Sequence, residues 1–480
     1  MKTKVKIQRL PTGVPGLDFI CGGGLPEYSF NLIAGEPGSG KTTLAHQIMF
    51  SLATVEKPAL FLTILGEPPV KMLRYQQQFE FFDETLIGNA INFVNLSEDT
   101  ISGNLERVLL RITEEVVKHK PSFIFIDSFR SVVRTSIYAD DAKGLEQFVQ
   151  QLGITMTSWK ATTFLIGEYP EPGDINPVFT VADGLIWLRQ SSHRNSMVRK
   201  IEIVKMRGQA SVPGLYPFRI TDQGLKIFSP QIIPTSIPTN ELENRATFGI
   251  TALDDMLGGG LPQGFSLLIA GPSGSGKSIL AASFLEAGTK LGEHGIIASF
   301  EQRPSKKGRN AVVSKLLDEK KISIINTGIK GLSVNEILTM ILDEIKVTGA
   351  TRIVIDSLSG LELALASDYR EDFRESMLEL VTTLTEWGMN VIMTCELEDR
   401  YSDLRFSPYG TAFLTDAIIV QRYIELTSRL RRVIAVVKLR GSPHSDELRE
   451  YIINEEGILI GEILADQEGL LGGRPTQKSG

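Results

Sequence analysis

Two short stretches decide the fold of this chain: GEPGSGKT at residues 35–42 and GPSGSGKS at residues 271–278. Both follow the pattern G-x-x-x-x-G-K-[ST], in which glycines let backbone amides turn inward around phosphate oxygens at the start of a helix. An apolar segment precedes each loop, FNLIAG in one case and SLLIAG in the other, and a buried strand is predicted there. The sequence therefore predicts two phosphate-binding loops in one chain.

The two loops belong to a long internal repeat. A shift of 236 positions aligns residues 12–49 with residues 248–285, including a GGGLP segment in both copies. A repeat of this length indicates duplication of an entire domain. The stretch SPQIIPTSIPTNELENRAT between the copies contains three prolines and is predicted to be an extended linker. We therefore predict a first domain over 1–232, a linker over 233–246, a second domain over 247–465 and a short tail over 466–480.

Each half repeats one order of apolar segments. After the loop and its helix come an apolar strand, further helices, and a strand that ends in aspartate, SFIFID at 122–127 and TRIVID at 351–356. A helical stretch and another strand follow, TTFLIGE in the first half and NVIMTCE in the second. Short, continuously apolar strands separated by helical patterns are typical of a parallel sheet covered on both faces. The sequence thus predicts two tandem α/β domains, each a mostly parallel twisted sheet flanked by helices.

The composition of the 480 residues is that of a globular protein, with 42% hydrophobic and 22% charged residues. No apolar run approaches the roughly 20 residues that cross a bilayer, and no signal-peptide pattern follows the N-terminal basic residues, so a cytoplasmic protein without a membrane span is predicted. The net charge of −7 argues against a chain whose main role is to coat nucleic acid. Cys21 and Cys395 match no metal spacing and are predicted to be small buried residues.

The loop residues are predicted to hold the phosphates of ATP. Lys41 and Lys277 are in the position from which a P-loop lysine reaches the β- and γ-phosphates. Backbone amides of the neighbouring residues are expected to surround the same phosphates. These further predicted ATP contacts are Gly35, Gly38, Ser39, Gly40, Thr42 and Thr43 in the first half, and Gly271, Gly274, Ser275, Gly276 and Ser278 in the second.

A magnesium ion is expected to accompany the nucleotide. Thr42 and Ser278 offer hydroxyl groups to Mg²⁺ directly after the loop lysines. Asp127 and Asp356 end the downstream apolar strands and are expected to hold the metal through water. For either aspartate alone a turn residue at a strand end is the alternative, but the same pairing in both halves favours the metal site.

A set of longer motifs resembles the KaiC family, the double-domain RecA-like ATPases of the circadian clock type. The resemblance covers nearly the whole chain and implies RecA-like P-loop NTPase domains that stack as two hexameric rings, with ATP between neighbouring subunits. The motifs that carry it are the openings TGVPGLD and FGITALD, the two GGGLP segments, VKMRG at 204–208, VKLRG at 437–441 and EGLLGGRP at 468–475.

The resemblance implies further nucleotide contacts made across the subunit boundary. Lysine and arginine two residues apart on a strand point the same way, and paired cations suit a triphosphate, although a basic surface strand is the alternative. Other residues match family positions near the nucleotide of the second domain or near the ribose and base held by the first. The residues implied are Lys205, Met206, Arg207, Thr221 and Asp222 in the first half, and Arg432, Lys438, Leu439, Arg440 and His444 in the second.

ATP hydrolysis also needs a group that orients and deprotonates the attacking water. In RecA-like ATPases this carboxylate follows the strand after the P-loop helix. TILGEPP in the first half offers Glu67, and SFEQRP in the second offers Glu301. A solvated loop carboxylate is the alternative at both positions.

The departures from the family pattern concern phosphorylation and partners. Clock members with autokinase activity have adjacent Ser-Thr acceptors where this chain has Ala412 and Phe413, neither of which has a hydroxyl. Thr411 and Thr415 flank the Ala412–Phe413 pair and are the alternative phosphate acceptors, but a threonine packed beside a strand is the favoured interpretation of each. The family implies a KaiB-like protein as a partner. The short tail TQKSG after Pro475 argues against a KaiA-type partner.

Three functions are compared on this basis. A nucleotide-driven hexameric ATPase of a signalling or clock type agrees with all the ATP-handling residues. A serine/threonine autokinase shares those residues but lacks the acceptor pair. A DNA-acting RecA relative finds support only in basic stretches such as RPSKKGR at 303–309 and SRLRR at 428–432, without aromatic interleaving, so nucleic acid is not the expected partner.

Overall fold

The chain forms two compact units, the first of which ends at Ser229. This computed structural model describes fifteen stretches of the chain, which are residues 7–64, 69–97, 104–129, 142–169, 177–193, 196–229, 244–300, 311–326, 331–370, 373–397, 414–426, 428–455, 457–464, 467–468 and 476–477.

A nine-stranded sheet forms the centre of the first unit. Its spatial order is β3-β2-β4-β5-β1-β6-β7-β8-β9, with parallel pairing from β3 through β6 and antiparallel pairing of β8 with both its neighbours. In chain order the strands are β1 Phe30–Gly35, β2 Ala59–Thr63, β3 Ile91–Asn95, β4 Phe123–Asp127, β5 Thr162–Glu168, β6 Gly184–His193, β7 Ser196–Met206, β8 Tyr216–Thr221 and β9 Gly224–Ile227.

Helices cover both faces of this sheet. Adjacent residues of β1 point to opposite faces of the sheet. Ile33 belongs to a buried cluster with Leu44 and Ile48 of the helix after the loop. Leu32 belongs to a second buried cluster, which includes Ile112 and Val149. A strand buried on both sides cannot leave either face to water, so each face needs a helical layer. The helices are α1 Leu17–Ile20, α2 Lys41–Leu52, α3 Pro69–Gln76, α4 Leu105–His119, α5 Ala142–Ser158 and α6 Pro177–Val181, with a short 3₁₀ helix at Glu84–Leu86.

The second unit repeats the same sheet order, β12-β11-β13-β14-β10-β15-β16-β17-β18, again parallel from β12 through β15 and antiparallel beyond it. The predicted fold class is therefore confirmed in both halves. Its strands are β10 Ser266–Gly271, β11 Gly295–Ser299, β12 Ile322–Asn326, β13 Arg352–Asp356, β14 Asn390–Glu396, β15 Ala417–Leu426, β16 Arg429–Leu439, β17 Arg449–Asn454 and β18 Gly457–Ile463.

The remaining elements surround the second sheet or pair locally. Among the described residues no helix is both long and apolar enough to cross a membrane. The helices are α7 Thr251–Met256, α8 Lys277–Lys290, α9 Ala311–Asp318, α10 Val334–Thr348, α11 Leu358–Ala364, α12 Ser367–Arg370 and α13 Phe373–Glu386. The small two-stranded pairs join Arg9–Leu10 to Leu25–Pro26, Arg245–Ala246 to Leu261–Pro262, and Gln467–Glu468 to Thr476–Gln477.

The first unit buries a histidine whose ionisation is expected to weaken the fold in acid. His46 of α2 is fully buried, with its ring centroid 4.7 Å from that of Phe61, and burial lowers its pKa from 6.5 to about 4, against a smaller opposing effect of Gln76. The unfolded chain therefore binds the extra proton first, so stability is full above pH 6.5 and falls as the pH drops towards 4. The expected loss is about 3 kcal/mol.

Acid unfolding of a His46→Phe variant tests this effect. Phenylalanine keeps an aromatic ring of similar size but cannot ionise, so the variant is expected to lose about 3 kcal/mol less than the wild type between pH 6.5 and pH 4. Urea unfolding at each pH measures the difference. Equal pH dependence of the two proteins would show that His46 does not cause the acid effect.

Candidate nucleotide site

The first phosphate-binding loop has the shape that its sequence predicts. β1 ends at Gly35 and α2 begins at Lys41, so the predicted strand–loop–helix order is confirmed. Gly40 is the N-cap residue of the helix and has φ 101°, and Gly38 has φ 76°. Residues other than glycine rarely adopt these backbone angles. A Cβ atom on Gly38 would meet nothing within 4 Å, so the loop has an open side where phosphate oxygens can approach the backbone.

Lys41 lies inside this loop. Its side chain is only 7% exposed, and Nζ donates a hydrogen bond to the carbonyl oxygen of Glu36 at 2.7 Å. Burial lowers the pKa of Lys41, and nearby carboxylates, above all Glu168 and then Asp127, oppose that shift. Lys41 stands at the N-terminus of α2, where its ammonium group and the helix dipole would both attract an anionic phosphate.

Thr42 and Asp127, which are 85 positions apart in the chain, meet at the same site. Thr42 Oγ1 donates a hydrogen bond to Asp127 Oδ2 at 2.8 Å. They meet because β4, which ends at Asp127, lies in the same sheet as the strand that leads into the loop, and parallel strands end at one edge. The hydroxyl and carboxylate oxygens are the donor types that Mg²⁺ prefers.

A cavity of about 370 Å³ lies beside these residues, a size typical of small-molecule sites. Glu168, at the end of β5, lines it and was not identified from the sequence. The signal was present, because TTFLIGE and NVIMTCE both end in glutamate at matching positions of the repeat. The lining residues are Gly38, Gly40, Lys41, Thr42, Thr43, Thr63, Met72, Asp127, Ser128, Gly167, Glu168 and Ile220.

The second loop repeats the first with different supports. α8 begins at Lys277, after Gly276 with φ 98°, and Lys277 Nζ donates hydrogen bonds to the carbonyl oxygens of Gly271 at 2.9 Å and Pro272 at 2.8 Å. Burial lowers the pKa of Lys277, and Glu396 is the foremost of the groups that oppose the shift. Ser275 Oγ donates to Gln421 Oε1 at 3.1 Å, which fixes the loop against β15. Gly274 and Ser278 lie on its exposed side.

The two units differ at the aspartate predicted to hold the metal. Asp356 Oδ1 accepts a hydrogen bond from Thr394 Oγ1 at 2.5 Å, whereas the matching position in β5 is Ile166, which has no hydroxyl. The environments of the two aspartates are therefore unequal.

Both cysteines are buried, as the sequence predicts. Cys395 lies beside Thr394, and burial raises the pKa of its thiol to about 12, so it stays a neutral thiol.

The two lysines that are expected to contact a neighbouring copy form hydrogen bonds within their own unit. Lys205 Nζ donates to the carbonyl oxygens of Ala182, at 2.6 Å, and of Thr180, at 3.3 Å, near the end of α6. Lys438 Nζ donates to the carbonyl oxygen of Thr415. Each strand ends one residue before its arginine, at Met206 and Leu439. The side chains of these two residues are buried, so only their backbone can face a nucleotide.

Other residues implied by the resemblance lie close to the loops of their own unit. Thr221 and Asp222 directly follow Ile220, which lines the first cavity. Ile220 Cδ1 lies 2.8 Å from the position that a Cβ atom on Gly40 would take, so Ile220 is next to the loop. The Arg432 guanidinium lies 5.5 Å from the centre of the Tyr423 ring. The Tyr423 hydroxyl in turn lies 3.2 Å from the position of a Cβ on Gly274. His444 is exposed just beyond β16.

Several predicted residues lie outside the part of the chain that the structure describes. They include both predicted general bases, Glu67 and Glu301, and the Ala412–Phe413 pair with Thr411. Thr415 is described and is only 1% exposed, which agrees with a packed threonine.

Comparison with known proteins agrees with this geometry. The family described as "ATPase: KaiC" matches residues 10–232 and again residues 246–465. "Circadian clock oscillator protein KaiC" of Thermostichus vulcanus is 27% identical over 495 residues, which cover 100% of this chain and 94% of the relative. "Circadian clock protein KaiC3" of Synechocystis sp. is 28% identical over 488 residues, covering 98% and 95%. With two matched repeats and a phosphate-binding loop in each, the chain belongs to the KaiC family of ATPases.

Proposed function

We propose that this KaiC-family ATPase works in the cytoplasm as a ring of six copies that hydrolyses magnesium-bound ATP at the boundaries between neighbours. One observation carries the proposal: Lys205 and Arg207 are not among the described residues that line the cavity of their own unit. The cavity would thus form one half of a triphosphate site, and Arg207, which is 56% exposed, would supply part of the second half to a neighbouring copy. A ring of identical copies brings such halves together.

The residues of the first cavity fit ATP and Mg²⁺. The open glycine loop supplies backbone amides for the phosphates, and Lys41 supplies a cation. Thr42 and Asp127, whose side-chain oxygens are hydrogen-bonded at 2.8 Å, supply oxygen ligands for the metal. Magnesium, when bound, would neutralise charge on the phosphates. Within the chain, Lys41 and the loop amides would bind and orient the triphosphate, and Arg207 of a neighbouring copy would stabilise charge that develops during phosphoryl transfer.

Size measurement with and without ATP tests the assembly. We expect single chains or small assemblies without nucleotide and a hexamer with Mg·ATP, because the bound triphosphate would join cations from two copies. Nucleotide analysis of the isolated ring is expected to give two nucleotides per chain. A single chain at saturating nucleotide, or ligand in one unit only, would contradict the proposal.

An autokinase is the second candidate, since it would use the same ATP-handling residues. The acceptor positions argue against it, because Ala412 and Phe413 have no hydroxyl and the neighbouring Thr415 is buried. Intact mass after incubation with Mg·ATP separates the two functions. A stable gain of one or two phosphates would favour the autokinase.

We propose that the nucleotide state of the first ring controls binding of a KaiB-like protein. Its test is co-elution of the ring with such a protein in ATP compared with ADP. Nucleic acid is not expected to bind, since the chain has a net charge of −7. Salt-sensitive, ATP-dependent binding to single-stranded DNA would instead support a DNA-acting ATPase.

A further inference from the structure

Asp183, directly before β6, joins two parts of the first unit through its two carboxylate oxygens. Oδ2 accepts a hydrogen bond from the backbone amide of Phe30 at 3.0 Å, and Oδ1 accepts one from Arg207 Nη1 at 3.2 Å. The backbone repeats both connections, because Asp183 N–H donates to the Phe30 carbonyl at 2.7 Å and Arg207 N–H donates to the Asp183 carbonyl at 2.8 Å. Asp183 is thus fixed at four points.

Asp416, directly before β15, makes the same connections in the second unit. Its Oδ2 accepts from Ser266 N–H at 3.0 Å and from Ser266 Oγ at 2.8 Å, and its Oδ1 lies 3.5 Å from Arg440 Nη1. Asp416 N–H donates to the Ser266 carbonyl at 3.1 Å, and Arg440 N–H donates to the Asp416 carbonyl at 2.9 Å. The two units differ in many side chains, so this repetition indicates a shared requirement.

The partners of each aspartate belong to two different nucleotide sites of the proposed ring. Phe30 and Ser266 are the first residues of β1 and β10, the strands that run straight into the phosphate-binding loops. Arg207 and Arg440 belong to the basic pairs that the proposed function assigns to the neighbour's nucleotide. One carboxylate therefore touches the strand of its own loop and the arginine offered to the next copy.

The charges explain why an aspartate is needed here. Lys205 and Arg207 stand two residues apart and repel each other: burial lowers the pKa of Lys205 and Arg207 lowers it further, while Asp183 opposes both effects. Arg207 is 56% exposed and uses Nη1 for Asp183 and Nη2 for the Thr180 carbonyl at 3.1 Å. A guanidinium has five N–H donors, so it can keep both bonds and still donate to a phosphate.

We infer that Asp183 and Asp416 are positioning residues: each aims the arginine of its unit at the neighbouring copy's ATP and ties that arginine to the strand of its own phosphate-binding loop. This inference rests on the proposed function. It predicts that the largest effect of Asp183 on turnover passes through Arg207, since the aspartate does not line the cavity.

A double-mutant cycle tests the inference on the full chain. The background is Lys277→Ala, so that turnover comes from the first unit. Asp183→Asn keeps an acceptor for the Phe30 amide but loses the charge, and is expected to lower kcat about tenfold with KM nearly unchanged. Arg207→Gln is expected to lower kcat about 100-fold. The double variant is expected to match Arg207→Gln alone.

Glu202→Gln is the matched control. It removes an ion pair of similar length, 2.9 Å to Arg189 on the neighbouring strand, and is expected to leave kcat unchanged. Effects of Asp183→Asn and Arg207→Gln that multiply in the double variant would overturn the inference. Absence of turnover and of ATP-dependent assembly in the wild type would instead refute the proposed function itself.

The second unit gives a replacement cycle in case Asp183→Asn does not fold. Asp416→Asn with Arg440→Gln, in a Glu67→Gln background, has the same design, and Ser266 supplies a second hydrogen bond that helps the variant fold. A double variant equal to Arg440→Gln alone supports the inference, and multiplied effects reject it.

Discussion

Replacing Lys41 with alanine is expected to weaken ATP binding to the first unit about 100-fold and to prevent ring assembly at ATP concentrations that assemble the wild type. The reason lies in the charges around the loop. Lys41 faces the carboxylates of Glu168 and Asp127. Without the ammonium group of Lys41, nothing at this position would offset the repulsion between these carboxylates and the phosphates of ATP. Gel filtration over a series of ATP concentrations measures the effect.

Lys277→Ala is the matched variant, because Lys277 makes equivalent contacts in the second loop. We expect this protein to form rings at the wild-type ATP concentration and to lose turnover of the second unit. The expected difference between the variants rests on our proposal, taken from the family resemblance, that the first ring drives assembly. Equal loss of assembly in both variants would show that the two units share this role.

The sequence predicted the strands next to the loops closely. FNLIAG, SLLIAG, TTFLIGE and NVIMTCE became strands with the predicted bounds, because continuous apolar runs beside a glycine turn leave little choice. The strands that end in Asp127 and Asp356 each begin one residue later than predicted. The order of nine strands depends on pairings between distant segments, such as β1 with β5, and local pattern does not encode them.

The site was predictable where a motif names the residue. Thr42 and Asp127 are both predicted to hold the metal, and their side chains lie 2.8 Å apart at one site, while their role at a metal stays a prediction. Glu168 was missed because its approach to Lys41 depends on the parallel pairing of Gly35 with Glu168. Asp183 was missed for the same reason, since its role depends on contacts with Phe30 and Arg207 at opposite ends of the domain sequence.

The second large effect is expected at Glu67, which we propose as the general base that activates water in the first unit. Glu67→Gln is expected to lower kcat by about 10²–10⁴-fold while ATP still binds, since an amide cannot accept the proton. Glu168→Gln is expected to lower kcat much less. Glu168 opposes the effect of burial on the pKa of Lys41, so we expect its loss to act through that lysine rather than through the attacking water. Steady-state ATP hydrolysis in the Lys277→Ala background measures both values of kcat.

The pH dependence of kcat/KM separates the two glutamates, because this ratio reports ionisation of the free enzyme. Loss of the Glu168 charge removes the foremost group that raises the pKa of Lys41, so that pKa falls further below its ordinary value. Lys41 then loses its proton at lower pH, and the alkaline decline in kcat/KM is expected to begin at lower pH in Glu168→Gln than in the wild type. Glu67→Gln is expected to keep the wild-type decline. A large kcat loss in Glu168→Gln with an unshifted alkaline decline would instead identify Glu168 as the general base.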